Sequence, residues 1–372
     1  ELEIAGRSEI NITMALDAEQ LDEIVVIGYG TVKRANVTNS VAKINSEALE
    51  NRPLTSLSEA FSGQIAGVYA QQASGLPGAD FEIKIRGTNS ITSGSGPLYV
   101  IDGMPVQDMK DLNMANVASI EVLKDASAAA IYGARGAGGI VLITTKSAKS
   151  GETRVDFEAY TGVQAVSNKI DIMNADQWVE YAEWNQKEKY RRDGKGDPFA
   201  DPSITFDVMG NKYHNRKFWY NDNSHLVTDT DWQDEGLQAA TKRNYALSLS
   251  KGVEGGSFVV SGNYLDQEGL FKGTSYKRYN FSSNSRYNVT DKLEVGVNLS
   301  ASHSLAVGET NGEGKESPYM RLIVADPTAP VDGNVRTTEG GLLTSDPNPI
   351  IQSQVIKDDV KTTRTIGNVF VN

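Results

Sequence analysis

Three histidines, His214, His225 and His303, and no cysteine leave this chain little equipment for metal or nucleophile chemistry. The histidines are too scattered for a zinc site, and there is no thiolate to ligate, attack or form a disulfide. DGKGD, Asp193 to Asp197, has acids but neither the spacing nor the closing Glu of a calcium loop, and reads as solvated. The glycines of GARGAGG, 133 to 139, raise the question of phosphate binding. They follow a helical segment and precede a strand, the reverse of a dinucleotide loop, and no Gly-Lys-Ser/Thr closes them. They read as a tight connection with positive φ. Acids are spread throughout without a nucleophile–base constellation, so neither an enzyme nor a cofactor or metal site is expected.

Two groups of residues could do binding chemistry. Trp178, Trp184, Trp219, Tyr220 and Trp232 lie among acids and amides between 167 and 240, with Tyr190 and Tyr213 nearby. Aromatic faces beside carboxylates and amides suit sugars, whose apolar faces stack while their hydroxyls hydrogen-bond. Loop packing, or contact with a covering partner, is the bland alternative for each ring. The second group is DEIVVIGYG, Asp22 to Gly30. The β-branched run Ile24 to Ile27 favours a strand, and the glycines let the backbone turn away from it. A short strand on a leash can pair with another protein's open sheet edge. Its alternative is an internal strand of the domain that follows.

The surrounding elements must position these groups. The chain has 372 residues, 39% hydrophobic, with a net charge of −12 and 35 glycines. The acidity argues against nucleic acid. The mean hydropathy of −0.38 comes with no apolar run long enough for a membrane helix, which leaves barrel strands open. The chain opens at Glu1, which implies a processed or trimmed product. Residues 1–20 read as the last strands of a module that begins earlier, and 21–30 as leash and strand. Residues 31–150 read as a compact α/β domain. Its expected elements are a helix at 56–61, strands at 81–86, 98–102, 117–123 and 140–146, and an Ala-rich helix at 124–130. Arg86 is expected in a buried pair with an acid. Asp102, Gly103, Arg135 and Gly136 are expected to hold the domain by turn geometry and ion pairing.

From 151 to 372 the period changes to two. Segments at 153–166, 244–250, 258–264, 276–288, 292–305 and 361–372 each place apolar residues on one face. The connections run about 75, 5, 9, 4 and 55 residues, alternating long and short as in a transmembrane barrel. Six strands cannot close in lipid, so the chain reads as part of a larger barrel.

The chain resembles the SusC-like TonB-dependent transporters of the Gram-negative outer membrane. DEIVVIGYG resembles the family's TonB box, and PLYVIDGMPV (97–106) and VLKDASAAAIYGARGAGGIVLITTK (122–146) its plug signatures. MNADQWVEYAEWN (173–185), TDWQDE (230–235) and DPTAPV (326–331) resemble its barrel region. Gly138 stands where the family often has Asn. The resemblance implies an α+β plug followed by an antiparallel transmembrane β-barrel of about 22 strands, of which about six are present. Residues 1–20 would end a carboxypeptidase-regulatory-like sandwich. TonB, driven by the inner-membrane ExbB/ExbD complex, would bind Glu23, Ile24, Val25, Val26, Ile27, Gly28 and Tyr29 and pull. Asp102, Gly103, Lys124, Asp125, Tyr132, Gly133, Arg135 and Gly136 would be plug framework. The resemblance further implies outer-membrane lipid around the barrel and a SusD-like lipoprotein lid. Glycans are the expected cargo, with peptides the alternative. A signal-transducing receptor of the same architecture and a surface adhesin are the rival readings.

Overall fold

The computed structural model describes residues 24–27, 30–33, 41–45, 61, 63–72, 74–79, 81–87, 96–106, 108–109, 112–124 and 130–148. It further describes 151–205, 228–290, 292–308, 317–331, 348–355 and 358–371. Residues 1–20, the 56–60 stretch and the Ala-rich 125–129 segment fall outside these.

Strand β1 (Ile24–Ile27) pairs antiparallel with β2 (Gly30–Lys33), Ile24 opposite Lys33 and Ile27 opposite Gly30. The expected strand is there, but as one arm of a hairpin, not a lone strand on a leash. Next come β3 (Val41–Asn45), β4 (Val68–Gln72), β5 (Phe81–Ile85), β6 (Leu98–Ile101), β7 (Met104–Val106), β8 (Val117–Leu123) and β9 (Ile140–Thr145). β4 and β5 form a separate hairpin. The rest make one sheet in the order β3-β8-β9-β6-β7, antiparallel except for the parallel β6–β9 pair. The central strand β9 is buried on both faces, which explains why IVLITT does not alternate. Val141 and Ile143 pack with Ile44, Phe61, Ile83, Ile85, Ile120 and Val122. Ile140 and Leu142 face the other way, against Leu98, Val100 and Leu123.

A second sheet is a six-stranded antiparallel meander in chain order. It runs β10 (Thr153–Gln164), β11 (Ala240–Val253), β12 (Gly256–Glu268), β13 (Ser275–Thr290), β14 (Leu293–Val307) and β15 (Val360–Val371). The strands extend further than the apolar pattern suggested and their connections at one end are correspondingly tighter. Val253 pairs Gly256, and Thr290 pairs Leu293. The opposite end carries the long excursions. Between β10 and β11 lie helices α1 (Ala175–Arg192) and α2 (Trp232–Gly236), and between β14 and β15 lie α3 (Pro318–Val324) and α4 (Pro349–Val355).

This wall is inverted relative to a water-soluble sheet. Phe157 is 69% exposed and Leu247 54%, with Val155, Leu249, Phe258 and Phe281 also on the open face. The covered face is mostly polar, with Asn244, Ser261, Asn263, Arg278, Asn284 and Ser302 all buried beside the apolar Ala246, Val259, Leu265 and Tyr276. Apolar outside and polar inside is the pattern that lipid imposes on a barrel strand. No helix among the described residues is long and apolar enough to cross a membrane.

Candidate functional site

The α/β domain is held to the polar face of the wall by a small set of named contacts. Asn116 donates through Nδ2 to Ser261 Oγ at 2.5 Å and to Ser282 Oγ at 2.7 Å. Those two serines are direct cross-strand partners on β12 and β13, so one side chain ties two strands at once. Two steps along β13, Asn284 Nδ2 donates to Thr145 Oγ1 at 2.9 Å. Further on, Arg286 Nη2 stands 3.9 Å from Asp102 Oδ1. On β15, Arg364 makes a two-pronged contact with Asp108, both N–O distances 2.7 Å. Such a paired geometry fixes orientation as well as distance. A cavity of about 100 Å³ lies within this seam, lined by Ile101, Met104 and Met109 on one side and Asn298, Ser300 and Asn368 on the other.

Asp102 is central to the seam for reasons legible in its turn. Ile101 pairs Met104, so Asp102-Gly103 is a two-residue hairpin loop, with φ of 46° and 84°. Two positive φ values in succession define the turn that Asp-Gly favours. The Asp102 carboxylate then accepts from the Thr145 amide at 3.0 Å and from its hydroxyl at 2.7 Å. The turn of β6–β7 is thereby fastened to the end of β9, and the same carboxylate faces Arg286 on the wall. Beside it, Tyr99 is pushed up to about 12, first by burial and then by the Asp108 charge.

The remaining framework residues take assorted roles. Lys124 donates to the Ala66 carbonyl at 2.6 Å, joining β8 to the approach to β4. Tyr132 packs on the Leu98–Leu142 cluster. Gly133 has a φ of 62° and Gly139 one of 87°, in keeping with a tight connection. A Cβ at Gly139 would come within 2.7 Å of Ile85. Gly136 is buried, and its carbonyl accepts from the Gly139 amide at 2.9 Å. Arg135 departs from expectation: it is exposed and makes no ion pair among the described residues. Arg86 is also exposed, at a φ of 59°, and so is not a buried charge. Asp125 lies outside the described residues, as do Glu23, Gly28 and Tyr29 at the N-terminal hairpin.

The aromatic residues of the first long excursion separate into different environments. Trp232 is 1% exposed and packs with Phe271 and Leu322, while its indole N–H donates to the Asp326 carbonyl at 2.8 Å. With both ring faces covered it stacks on no ligand, which corrects the sugar-contact expectation. It joins TDWQDE to DPTAPV, where Thr230 also donates to the Pro327 and Ala329 carbonyls. Burial raises the Asp326 carboxyl, opposed by hydrogen bonds from Thr328. Trp178 is half-buried on α1. Trp184 is 52% exposed and stacks with Tyr181 at 6.3 Å, one turn away on the same helix. Trp219 and Tyr220 lie outside the described residues.

Helix α1 itself carries signals that the strand pattern overshadowed. Asn174 and Gln177 form a reciprocal capping box at its start. DGKGD ends it: Gly194, at a φ of 72°, donates to the Arg191 carbonyl and Lys195 to that of Tyr190. This is a glycine-terminated helix end, not an ion loop. Among the described residues no cluster of His, Asp and Glu could hold a metal. The seam residues Asp108, Asn116, Asn284, Arg286 and Arg364 were missed by reading only the apolar face of each strand. Arg286 and Arg364 at covered positions were the available signal.

An α/β domain tied across the polar face of a wall whose other face is apolar, with a pairable strand upstream, defines a plugged-barrel receptor. The TonB-dependent Receptor Plug Domain family matches residues 33–140. TonB-dependent receptor SusC of Bacteroides thetaiotaomicron is 28% identical over 411 residues, covering 100% of this chain and 37% of that protein. A TonB-dependent receptor of Formosa agariphila is 31% identical over 380 residues, covering 100% of this chain and 35% of its own length. The RagAB peptide importer in its open-open state superposes with a TM-score of 0.69 at 26% identity, over 94% of this chain and 40% of that one. The chain belongs to the SusC-like TonB-dependent transporters, and carries their plug and part of their barrel. It spans between 28% and 37% of the length of the curated relatives it matches.

Proposed function

We propose that this chain forms the force-receiving and gating part of an active importer in the bacterial outer membrane. TonB, energised by an inner-membrane ExbB/ExbD complex, pairs with residues 23–29. Pulling there loosens the plug from the wall and opens a path for bulky nutrients. The observation that carries this reading is the polar seam: a plug fixed to a membrane wall largely by hydrogen bonds and part-buried ion pairs. Such contacts exchange readily for water, so a plug held by them can move without exposing apolar surface.

The N-terminal hairpin refines the docking step. β2 occupies one edge of β1, and the two strands form a sheet of their own. A TonB strand therefore adds to the other edge of Ile24–Ile27, or replaces β2. Glycans are the proposed cargo, captured with a SusD-like surface lipoprotein. The exposed Tyr181–Trp184 pair supports this as a stacking surface beside acids and amides. A peptide cargo is the second reading, favoured by the likeness to the RagAB peptide importer.

Deleting Asp22 to Gly30 from the full-length protein tests the central step. Uptake is expected to fall to background while ligand binding to whole cells persists. Undiminished uptake would remove TonB-driven gating through this strand, whereas an intact protein that supports no uptake would favour a signalling or adhesive role.

A further inference from the structure

The outward face of the wall carries a row of cations at the level where a membrane's outer headgroups would lie. The register places Arg243 opposite Asp266, Asp266 opposite Lys277, Lys277 opposite Leu305, and Leu305 opposite Lys361. These five residues occupy one continuous line across β11 to β15. Their side chains share the open face with Tyr245, Leu247 and Phe281, because positions two apart on a strand point the same way. Adjacent strands are about 4.8 Å apart, so the three cations recur at about 10 Å. Arg243 is paired at 3.9 Å with Asp266 and keeps 46% of its side chain exposed. Lys361 is exposed and Lys277 half-buried, and neither makes an ion pair among the described residues.

The next row toward the tight turns fixes the depth. Tyr245, Tyr264 and Tyr279 are direct cross-strand neighbours, with ring centroids 6.3 and 4.9 Å apart. Aromatic residues of this kind mark the border between hydrocarbon and headgroups. Tyr287 marks the other border on β13, near the tight turns. From Tyr279 to Tyr287 is about 26 Å along the strand, or about 20 Å along a barrel axis at a tilt of about 40°. That is close to the apolar height of an outer-membrane barrel. The cation row lies just beyond the tyrosines, on the side of the long excursions. It also climbs: the tight end moves from the Gly256–Tyr287 pair down to Thr290 across two strands, so Lys361 stands further out than Arg243. The three charges are thus distributed through the headgroup layer.

We propose that Arg243, Lys277 and Lys361 form a docking row for the phosphorylated headgroup of an outer-leaflet glycolipid. The inference rests on the outer-membrane reading above. Phosphate is the fitting chemistry because the three cations are separate and placed at headgroup height, Arg243 and Lys361 exposed and Lys277 half-buried, with Asp266 paired to Arg243.

The test uses the full-length protein in detergent micelles doped with lipid A carrying both phosphates, or with the same lipid A enzymatically stripped of them. Retained lipid is counted by native mass spectrometry. The wild type is expected to prefer the phosphorylated form by about a hundredfold, and less so as salt rises. The variant Arg243→Gln/Lys277→Gln/Lys361→Gln is expected to lose that preference, at about fivefold per cation removed. Lys251→Gln/Lys292→Gln at the tight-turn end should retain it. Equal retention of both lipids by the wild type, or an undiminished preference in the triple variant, would overturn the row. So would displacement of the lipid by an equal concentration of inorganic phosphate. The comparison of two lipids on the wild type needs no variant to fold. Membrane fractionation separates the two readings. A wild type missing from the outer-membrane fraction defeats the importer reading and the row with it. One found there but indifferent to headgroup phosphate defeats the row alone.

Discussion

Tyr99 and Asp102 show how single side chains adjust the plug to its wall. Asp102 spends an unusual backbone conformation, at a φ of 46°, on placing one carboxylate between Thr145 and Arg286. Asp is among the few residues other than glycine that adopt it readily. Tyr99 lies on β6, the strand that leads into that turn, half-buried, opposite Val106 and within the field of Asp108. Both causes favour the neutral phenol, and burial is the larger. Its folded pKa, about 12, lies above the ordinary value of about 10. The linkage follows in sign: the stability that Tyr99 contributes is complete below about pH 10 and is lost as pH rises through about 12. Absorbance at 295 nm, compared between wild type and Tyr99→Phe, should show one phenol that ionises near pH 12. Asp108→Asn should lower that midpoint while leaving it above 10, because burial remains. A Tyr99 titration near pH 10 in the wild type would contradict the half-buried setting beside Asp108.

At the scale of elements, the proposed gating requires movement to begin at the seam. Asn116 is the last residue of a short helical turn, Met114–Asn116, before β8, and Ser261 and Ser282 come from β12 and β13. The chain has no cysteine, so Asn116→Cys/Ser282→Cys introduces a single reactive pair into the described part of the protein. Joining the pair with a short thiol-specific reagent should abolish uptake by the full-length transporter, and a cleavable reagent should allow its recovery on reduction. Uptake that continues with the plug pinned at this point would mean that the path opens elsewhere. The elements themselves were largely visible beforehand, because period-two alternation in the wall and the β-branched run at 140–145 each follow from burial. Strand ends were not: polar residues such as Lys242 and Gln267 continue the ladder past the last apolar position, since backbone pairing does not depend on side-chain polarity. Helix α1 was overlooked because half of it is exposed and its charges hide the period, though Asn174 and Gln177 announced its start. Trp232 was misjudged for a different reason. Its covering residues, Phe271 and Leu322, lie far along the chain, and local sequence cannot show burial by distant partners.

At the scale of the molecule, the inverted wall decides the environment. If the open face met water, Phe281, at 45% exposure, would be an exposed aromatic whose replacement by a charge should cost little. If it meets lipid, the cost depends on depth. Phe281 lies between the Tyr279 and Tyr287 levels, within the apolar band, whereas Ser275 lies on the same strand beyond the tyrosine row. An arginine near the middle of the bilayer costs about 2–4 kcal/mol and one at the border about 0–1 kcal/mol. Phe281→Arg should therefore lower the folding free energy of the full-length barrel in phospholipid vesicles well beyond Ser275→Arg, as measured by reversible denaturant titration. Leu247→Arg, on the open face of β11, should follow Phe281. In detergent with short chains, which yield more easily around a charge, the difference between positions should shrink. Equal small effects at all three sites would show that the face is wetted, and the wall would then have to be read as one side of a soluble sheet. A steep dependence on depth, by contrast, ties the apolar band, the tyrosine row and the seam on the opposite face to one membrane position. Force applied to the N-terminal strand then acts on a plug whose frame is fixed in the bilayer.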